Sequence, residues 1–253
     1  MDTQWRTHEL HVGGDPKALA EPEWLITNGT GAFAMGTAAG INTRRYHGLL
    51  IAAARPPVGR IVALNQMLEE LVFERDGAQQ RLEFSACMFR EPGGNDVIAP
   101  VGLTMLRRFE RGLSVAWHYA RGEFKFSREL YLHWKQQAAT LRYTLRGTGR
   151  GDIRDKTVLR LSPMLTLRDF HELLHKDTAE PFNVKVSSKN DQVTVSRGDA
   201  AVTLACDDAL FREEPRWWHN HHYPIETGRG LDDCEDHYLP GVFEVQLDGG
   251  DEH

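Results

Sequence analysis

Apolar and polar residues alternate along much of this chain, and the alternation predicts β-strands. In the clearest run, the apolar residues share one parity that only Arg128 interrupts: Phe124, Phe126, Leu130, Leu132 and Trp134. Alternation with a period of two over eleven residues indicates a long strand that buries one of its faces.

The same period recurs in shorter segments. Further apolar positions of this kind are Leu141, Tyr143 and Leu145, Leu159 and Leu161, Val184 and Val186, Val193 and Val195, and Val202 and Leu204. Arg197-Gly198-Asp199 is typical of a turn between the last two segments. Asp76-Gly77 separates the run 71–75 from the run 81–84, and an Asp-Gly pair in that setting favours a β-hairpin.

Turns at short intervals and scarce helical periods predict an all-β fold, a large antiparallel β-sandwich with a few short helices. One short helix is expected over residues 15–25, with Asp15 as its N-cap and Pro16 at its first position. Residues 206–241 are polar and rich in Pro, Gly, His and Trp, which suggests a long functional loop. We therefore expect residues 1–253 to form a single β-sandwich domain.

Composition narrows the possible partners and the compartment. The chain has 30 basic and 36 acidic residues, well mixed, for a net charge of −6, which does not favour a nucleic-acid partner. Three widely spaced cysteines without a C-x-x-C pair indicate free thiols and a cytoplasmic location. No signal peptide or stretch of 18 apolar residues is evident, so a membrane partner is not expected.

The densest candidate chemistry lies after a glycine-rich segment, residues 28–36. It consists of Arg44, Arg45, Tyr46 and His47, placed between that segment and the apolar run 49–54. Guanidinium forks, an aromatic face and an imidazole are groups that grip planar, hydroxyl-rich or anionic ligands. Four of them in succession indicate a contact with a ligand or a partner.

A zinc site is one alternative, because residues 171–175 match the H-E-x-x-H pattern. On a helix, His171 and His175 could bind one zinc ion while Glu172 acts as the base. Pro163 and Pro181 leave little room for such a helix, so a short polar helix or loop is the competing interpretation.

Two weaker motifs carry their own alternatives. The tract 219–222, His-Asn-His-His, is a candidate for metal binding, for ligand or interface contact beside Trp217 and Trp218, or for plain packing. Gly29 and Gly31 suggest a dinucleotide loop, but no helix signal and no acidic residue follow at the required distances. These glycines are better explained by a sharp turn or a close approach of the backbone.

Several segments, taken in order, resemble the N-terminal domain of prokaryotic-type glycogen debranching enzymes, the amylo-α-1,6-glucosidase family. They are residues 23–33, 42–50, 56–60, 168–171, 229–232, 235–236 and 238–241. The resemblance spans nearly the whole chain, and it places His171 in an Arg-Asp-aromatic-His element instead of a zinc site.

The resemblance implies a β-supersandwich that precedes a helical (α/α) toroid, which carries the catalytic carboxylates. This sequence has no long helical region, so the toroid is expected to be absent and to act as a partner in cis or in trans. The implied role is noncatalytic support of an α-1,6-glucosidase acting on glycogen or limit dextrin. The other implied partner is an α-glucan, such as glycogen or a maltooligosaccharide. No catalytic residue, metal or cofactor is expected within the chain. A freestanding carbohydrate-binding module is the main alternative, and a zinc hydrolase is a further one.

Ten residues are predicted to form one polar cluster that faces the catalytic domain and the rim of its glucan cleft. They are Arg44, Arg45, Tyr46, His47, Arg168, Asp169, His171, Arg229, Glu235 and Asp236. The alternative is that they satisfy one another in buried ion pairs, with Arg168–Asp169 and Arg229–Asp236 as the expected pairs. Glu235 and Asp236, if on a strand, should point to opposite faces.

Overall fold

The computed structural model describes residues 8–11, 20–55, 59–75, 77–122, 124–147 and 157–247. Asp15 and Pro16, on which the helix prediction rested, lie outside these ranges. Where the predicted helix enters the described chain it is wrong, because Glu23–Thr27 is a strand. Its burial alternates residue by residue, as expected for a strand with one buried face.

The described residues form strands numbered here in chain order. The first ten are β1 (His8–His11), β2 (Glu23–Thr27), β3 (Phe33–Thr37), β4 (Gly48–Arg55), β5 (Gly59–Leu64), β6 (Gln66–Arg75), β7 (Ala78–Glu83), β8 (Ala86–Arg90), β9 (Asp96–Val101) and β10 (Leu106–Arg111). The others are β11 (Val115–Arg121), β12 (Phe124–Leu132), β13 (Ala139–Arg146), β14 (Thr157–Met164), β15 (Arg168–Asp169), β16 (Asn183–Val186), β17 (Gln192–Arg197), β18 (Ala200–Ala205), β19 (Ala209–His222) and β20 (Cys234–Leu247).

The strands form four antiparallel sheets. Their orders are β1-β10-β11-β12-β13, β7-β6-β14-β20-β19-β8-β9, β15-β5-β4-β3-β2 and β16-β17-β18. One hydrophobic core contains buried residues from all four, among them Trp24, Leu71, Trp117 and Val193. The protein is thus an all-β sandwich, as predicted.

Helices are short and few in the described part of the chain. The α-helix α1 spans Pro224–Gly228, and 3-10 turns span Gly102–Met105 and Lys176–Thr178. None of the helices found there has the length and apolar character needed to cross a bilayer.

The predicted hairpins are confirmed. Strands β6 and β7 pair with Arg75 opposite Ala78, and β17 and β18 pair with Arg197 opposite Ala200. Gly198 takes a φ of 53° in the second of these turns, a conformation that glycine adopts without steric cost.

The long alternating strand is confirmed as β12, but two of its details differ from expectation. Trp134 lies beyond the strand and is 67% exposed. Arg128 does not interrupt the buried face, because it points into the core and pairs with Glu69 at 2.9 Å. A charged side chain can occupy a core-facing position of a strand when a buried residue of opposite charge pairs with it.

The expectation of a long loop over residues 206–241 is wrong. Most of that range lies in β19 and β20, two 14-residue strands that are neighbours in the seven-stranded sheet. Register shifts between Glu213 and Arg216, and between Trp218 and His221, break the simple alternation of β19. Because bulges displace side chains from one face to the other, the sequence pattern was hidden.

Candidate functional site

Three segments that are distant in the sequence meet at one side of the sandwich. They are residues 42–47, which precede β4; residues 168–175, which include β15; and residues 223–235, which contain α1 and the start of β20. We call them the three-segment region. All of the predicted site residues lie in it, apart from Asp236, which directly follows it.

A buried ion pair lies at its centre. The Nε and Nη2 atoms of Arg168 donate to the two carboxylate oxygens of Glu235 at 2.7 and 2.8 Å, and the two side chains are 1% and 0% exposed. Burial opposes ionisation of Glu235, but Arg168 and a hydrogen bond with His237 hold its pKa well below the usual range. Asp236 is only partly buried, so the two carboxylates face opposite sides of β20, as predicted.

The same pair also bonds the other segments. Arg168 Nη2 donates to the carbonyl of Arg45 at 2.9 Å, and the backbone N–H of Leu174 donates to Glu235 at 3.1 Å. The hydroxyl of Tyr223 donates to the other carboxylate oxygen. Charge-assisted hydrogen bonds are stronger than neutral ones, so this one pair fixes all three segments relative to each other.

A second buried carboxylate, Glu226 in α1, strengthens the arrangement. It accepts a hydrogen bond from Arg229 at 3.1 Å and lies 3.6 Å from the Nε of Arg45. The two Nη groups of Arg45 donate to the carbonyls of His171 at 2.9 Å and Asp232 at 2.7 Å. Arg45 is therefore a structural bridge, with a side chain that is only 12% exposed.

His47 is also internal. The backbone N–H of Thr43 donates to its Nδ1 at 3.0 Å, so the neutral ring carries its proton on Nε2 and donates it to Glu23 at 3.1 Å. Burial lowers the pKa of His47. The hydrogen bond from His47, together with Arg44, lowers the pKa of Glu23 to about 2 against the opposing effect of burial.

The expected pair Arg168–Asp169 is wrong. Arg168 uses Glu235 instead, and it reaches only the backbone carbonyl of Asp169, at 3.1 Å. The Asp169 carboxylate accepts from the backbone N–H of His171 at 2.9 Å. Adjacent residues on a strand point to opposite faces, which makes a direct side-chain pair between them unfavourable.

The expected pair Arg229–Asp236 is wrong as well. Arg229 bonds Glu226, three residues earlier. The Asp236 carboxylate accepts from the backbone N–H groups of Lys176 and Asn220, both at 3.0 Å. These two backbone hydrogen bonds satisfy Asp236 on the far side of β20 from Glu235.

The structure gives no helix for the zinc motif. Residues 171–175 form a turn, a bend and an irregular stretch, so His171 and His175 do not share a helical face. His171 instead contacts the hydroxyl of Tyr46 at 3.2 Å through Nδ1. Within the described ranges, no group of three or more His, Cys, Asp or Glu residues is placed to hold a metal ion.

The histidines of the tract 219–222 diverge. His219 is half exposed and lies 3.2 Å from Asp236, whereas His222 is buried 2.8 Å from Asp96. His221 is fully buried beside His237, with ring centroids 4.4 Å apart. Burial lowers the pKa of His221 well below its usual value, and neither ring nitrogen has a hydrogen-bond partner among the described residues.

A pocket of about 640 Å³ opens beside the three-segment region. Its lining residues are Glu23, Leu25, Thr27, Gly29, Gly31, Ala32, Phe33, Met35, Arg44, Tyr46, Arg60, Phe170 and Arg229. The predicted residues Arg44, Tyr46 and Arg229 therefore reach solvent here, at the pocket. Arg168 and Glu235 are buried as an ion pair behind it, and His47 is buried in its hydrogen bond with Glu23.

The floor of this pocket was missed from the sequence. It is the outer face of the β2–β3 hairpin, where Leu25 lies opposite Met35 and Thr27 opposite Phe33. Residues of one parity on paired strands share a face. The alternation of residues along β2 and β3, together with the glycine-rich turn between them, is the sequence signal that could have predicted this surface.

Aromatic and cationic groups also line the pocket. Tyr46 contacts Phe170 edge-on, with ring centroids 5.5 Å apart, and the guanidinium of Arg60 lies 5.5 Å from the Phe170 ring. Arg60 also donates to the carbonyl of Gly31 at 2.9 Å. The result is a concave surface with an apolar floor and a polar rim, the usual composition of a small-molecule site.

Comparison with protein families gives one match over most of the chain. The family model described as glycogen debranching enzyme N terminal matches residues 22–253. This range contains the whole three-segment region and the whole pocket. A search among curated proteins gives no significant match.

Proposed function

The chain belongs to the family of glycogen debranching enzyme N-terminal domains, and from this we propose that it is a noncatalytic domain that supports a helical catalytic toroid and lines its glucan cleft. The toroid, in cis or in trans, would hydrolyse α-1,6 branches of glycogen or limit dextrin. A cytoplasmic location fits this role, since Cys87, Cys206 and Cys234 are free.

One observation supports this proposal above the others. The buried pair Arg168–Glu235 holds the three segments in place through backbone groups, while Arg44, Tyr46 and Arg229 remain accessible at the pocket. Burying an ion pair carries a desolvation penalty. Here the buried pair lies beneath surface loops and holds their backbone in one conformation. A preorganised surface is what docking of a second domain and a glucan requires.

The carboxylates of the region support a noncatalytic role. Hydrolysis of a glycosidic bond uses two carboxyl groups about 5–10 Å apart, one of them protonated. Among the described residues that line the pocket, Glu23 is the one with a carboxylate, and its pKa of about 2 keeps it ionised. Glu235 and Glu226 are buried and occupied by arginines.

The catalytic part of the proposal is tested with limit dextrin. The purified chain should release no glucose from it, whereas the chain together with a toroid domain of a glycogen debranching enzyme should. Glucose release by the purified chain alone would contradict the noncatalytic role.

The docking part is tested by titrating that toroid domain into the chain in a calorimeter. Tyr46→Ala and Arg229→Ala should weaken the association, because both side chains reach solvent in the three-segment region. Arg212→Ala, at an arginine that is 64% exposed on β19, is the matched control and should leave the association unchanged. Equal effects of all three variants would contradict docking at this region.

A further inference from the structure

We propose that the pocket beside the three-segment region binds a small organic phosphomonoester, and that Arg60 holds its phosphoryl group. Arg60 lines the pocket, but it was not among the predicted site residues. This assignment goes beyond the proposed function and does not rest on it, because it needs neither a glucan nor a second domain.

The guanidinium of Arg60 is held in position by two neighbours. Its Nε donates to the carbonyl of Gly31 at 2.9 Å, and its central carbon lies 5.5 Å from the centroid of the Phe170 ring. No acceptor for its two Nη groups occurs in the part of the chain that the structure describes. A guanidinium is a planar fork of N–H donors that matches the oxygens of a phosphate. Within the described structure, Arg60 is therefore a positioned cation whose outer donors remain available to an anion.

The two other arginines of the lining are paired with carboxylates. The Nε of Arg44 lies 2.5 Å from the carboxylate of Glu23, and Arg229 pairs with Glu226 at 3.1 Å. Their charges are partly neutralised by these partners, which distinguishes them from Arg60.

The lining as a whole nevertheless carries excess positive charge. Its described residues include three arginines and one glutamate, and Glu23 is ionised, so their net charge is +2 near neutral pH. The buried Glu226 does not remove this excess, because Arg45, 3.6 Å away, also balances its charge. A phosphomonoester carries a charge of about −1.5 to −2 near pH 7. Such a ligand would balance the excess, whereas a neutral ligand would leave it in place.

The apolar floor favours a ligand that has a body besides its phosphoryl group. Leu25, Phe33 and Met35 lie on the outer face of the β2–β3 hairpin and line the pocket. The volume of about 640 Å³ exceeds what a phosphate ion alone would fill, and it is usual for a site that holds a whole small molecule. A ring or short apolar group on the phosphate would cover this floor and remove apolar surface from water. The expected ligand is therefore an organic phosphomonoester and not free phosphate.

The first test is a calorimetric titration of the full chain with phenyl phosphate, which combines a ring with a phosphoryl group. We expect saturable binding that weakens as salt is added. Phenyl sulfate has nearly the same shape but a single negative charge, so it should bind about fivefold more weakly. Inorganic phosphate, which lacks the ring, should also bind more weakly than phenyl phosphate, and phenol, which lacks the anion, should show no measurable binding.

Variants of Arg60 test its assigned role. Arg60→Met keeps an unbranched side chain and should weaken phenyl phosphate binding about tenfold or more, because charge-assisted hydrogen bonds are lost. Arg60→Lys keeps the charge without the planar fork, so its affinity should be intermediate. Arg81→Met is the control, at an arginine on β7 that is 58% exposed and lies outside the pocket lining. It should bind as the original chain does.

Opposite charges at one floor position separate electrostatic attraction from simple blocking of the pocket. Leu25 is 44% exposed, so a charged side chain there does not have to enter the core. Leu25→Glu should weaken phenyl phosphate binding about fivefold, the effect of one added charge near the anion. Leu25→Lys should bind at least as tightly as the original chain.

Four results would overturn the phosphomonoester site. They are the absence of phenyl phosphate binding, equal affinity for phenyl phosphate and phenyl sulfate, equal affinity of Arg60→Met and Arg81→Met, and equal weakening by Leu25→Glu and Leu25→Lys. Absence of phenyl phosphate binding together with weaker association of Arg60→Met with the toroid domain would assign Arg60 to an acidic group of that domain instead. A chain that still binds the toroid domain but not phenyl phosphate would refute this site and leave the docking role intact.

Discussion

Arg128–Glu69 and Arg168–Glu235 are both buried arginine–glutamate pairs, but they stabilise different parts of the molecule. Arg128 and Glu69 lie between two sheets, with side chains 6% and 1% exposed. Arg168 and Glu235 lie behind the pocket, with side chains 1% and 0% exposed. The pairs have the same chemistry and nearly the same burial, so the groups around them show what each one does.

The core pair is surrounded by side chains. The guanidinium of Arg128 lies 4.0 Å from the Trp117 ring, and Glu69 accepts from the hydroxyls of Ser85 at 2.6 Å and Tyr143 at 3.2 Å. All of these groups lie on strands or directly beside one. This pair therefore fixes how two sheets pack.

The second pair is bonded mainly by backbone groups, those of Arg45 and Leu174 in connecting segments and that of Asp169 at the end of the two-residue strand β15. Connecting segments lack the ladder of backbone hydrogen bonds that holds a strand within a sheet. The comparison teaches that a buried ion pair can stabilise either the packing of two sheets or the shape of connecting segments, and that its backbone partners distinguish the two.

The largest expected effect is common to both pairs. Glu69→Gln and Glu235→Gln each leave a buried arginine without its counter-charge, so each should lower the free energy of unfolding by about 3–5 kcal/mol. Urea denaturation followed by circular dichroism measures this loss. A loss well below this range for either variant would show that the arginine finds another partner.

Replacing both partners of a pair by apolar residues should have different effects on the two ion pairs. Arg128→Met with Glu69→Leu should recover most of the stability, because hydrophobic residues often replace a buried pair at little cost. Arg168→Met with Glu235→Leu should remain about 2–4 kcal/mol less stable, since it leaves backbone groups of Arg45 and Leu174 unsatisfied. The same urea titrations apply, and equal recovery in the two double variants would erase the proposed distinction.

Acid should weaken the three-segment region. Burial lowers the pKa of His47 from its usual 6.5 in the folded chain. As pH drops through 6.5, the unfolded chain therefore binds a proton on His47 before the folded chain does, and the free energy of unfolding falls. The pKa of Glu23 is lowered from 4.5 to about 2, so its contribution is lost as pH falls from 4.5 toward 2. Unfolding free energies measured across this pH range should decline in that order.

His221 offers a sharper form of the pH test. Because its two ring nitrogens are buried without partners in the described part of the chain, His221→Phe should raise stability by about 1 kcal/mol near neutral pH. Burial lowers the pKa of His221 in the folded chain, so protonation of the unfolded chain contributes to the loss of stability below pH 6.5. The free energy of unfolding of the variant should therefore fall less steeply with pH just below 6.5. A decline parallel to that of the unmodified chain would exclude His221 as a source of acid sensitivity.

The smallest effect is expected at the surface of the region. Tyr46→Phe removes only the hydroxyl contact with His171, so the loss of stability should be at most about 1 kcal/mol. Arg212→Met breaks an exposed pair with Glu244 and should cost about the same or less. A loss comparable to that of Glu235→Gln would place Tyr46 in the structural network instead of on the surface.

Local patterns made much of the fold predictable. Alternation located β12, β13 and β14, and the Asp-Gly and Arg-Gly-Asp turns located two hairpins, because these signals depend only on near neighbours. Strand β19 was missed since its bulges and its buried histidines break the period. The order of the sheets depends on long-range pairing that no local pattern contains.

The site was predictable as a set of segments but not as a set of contacts. The hypothesis of one polar cluster named residues from three distant segments, and the structure shows contacts among those segments. The predicted partner of Arg168 was wrong because adjacent residues on a strand point to opposite faces. The predicted partner of Arg229 was wrong because Arg229 follows α1 directly, where Glu226 lies within reach three residues earlier. Phe33 and Met35 were overlooked, since an alternating strand does not reveal which of its two faces remains open.

Hydrogen exchange measured by mass spectrometry on Glu235→Gln and Glu69→Gln tests most directly the claim that the Arg168–Glu235 pair holds the three-segment region in shape. The two variants should have similar stability, so each is the control for the other. The account predicts that residues 42–47 and 168–175 exchange faster in Glu235→Gln than in Glu69→Gln. Equal exchange of these segments in both variants would contradict it.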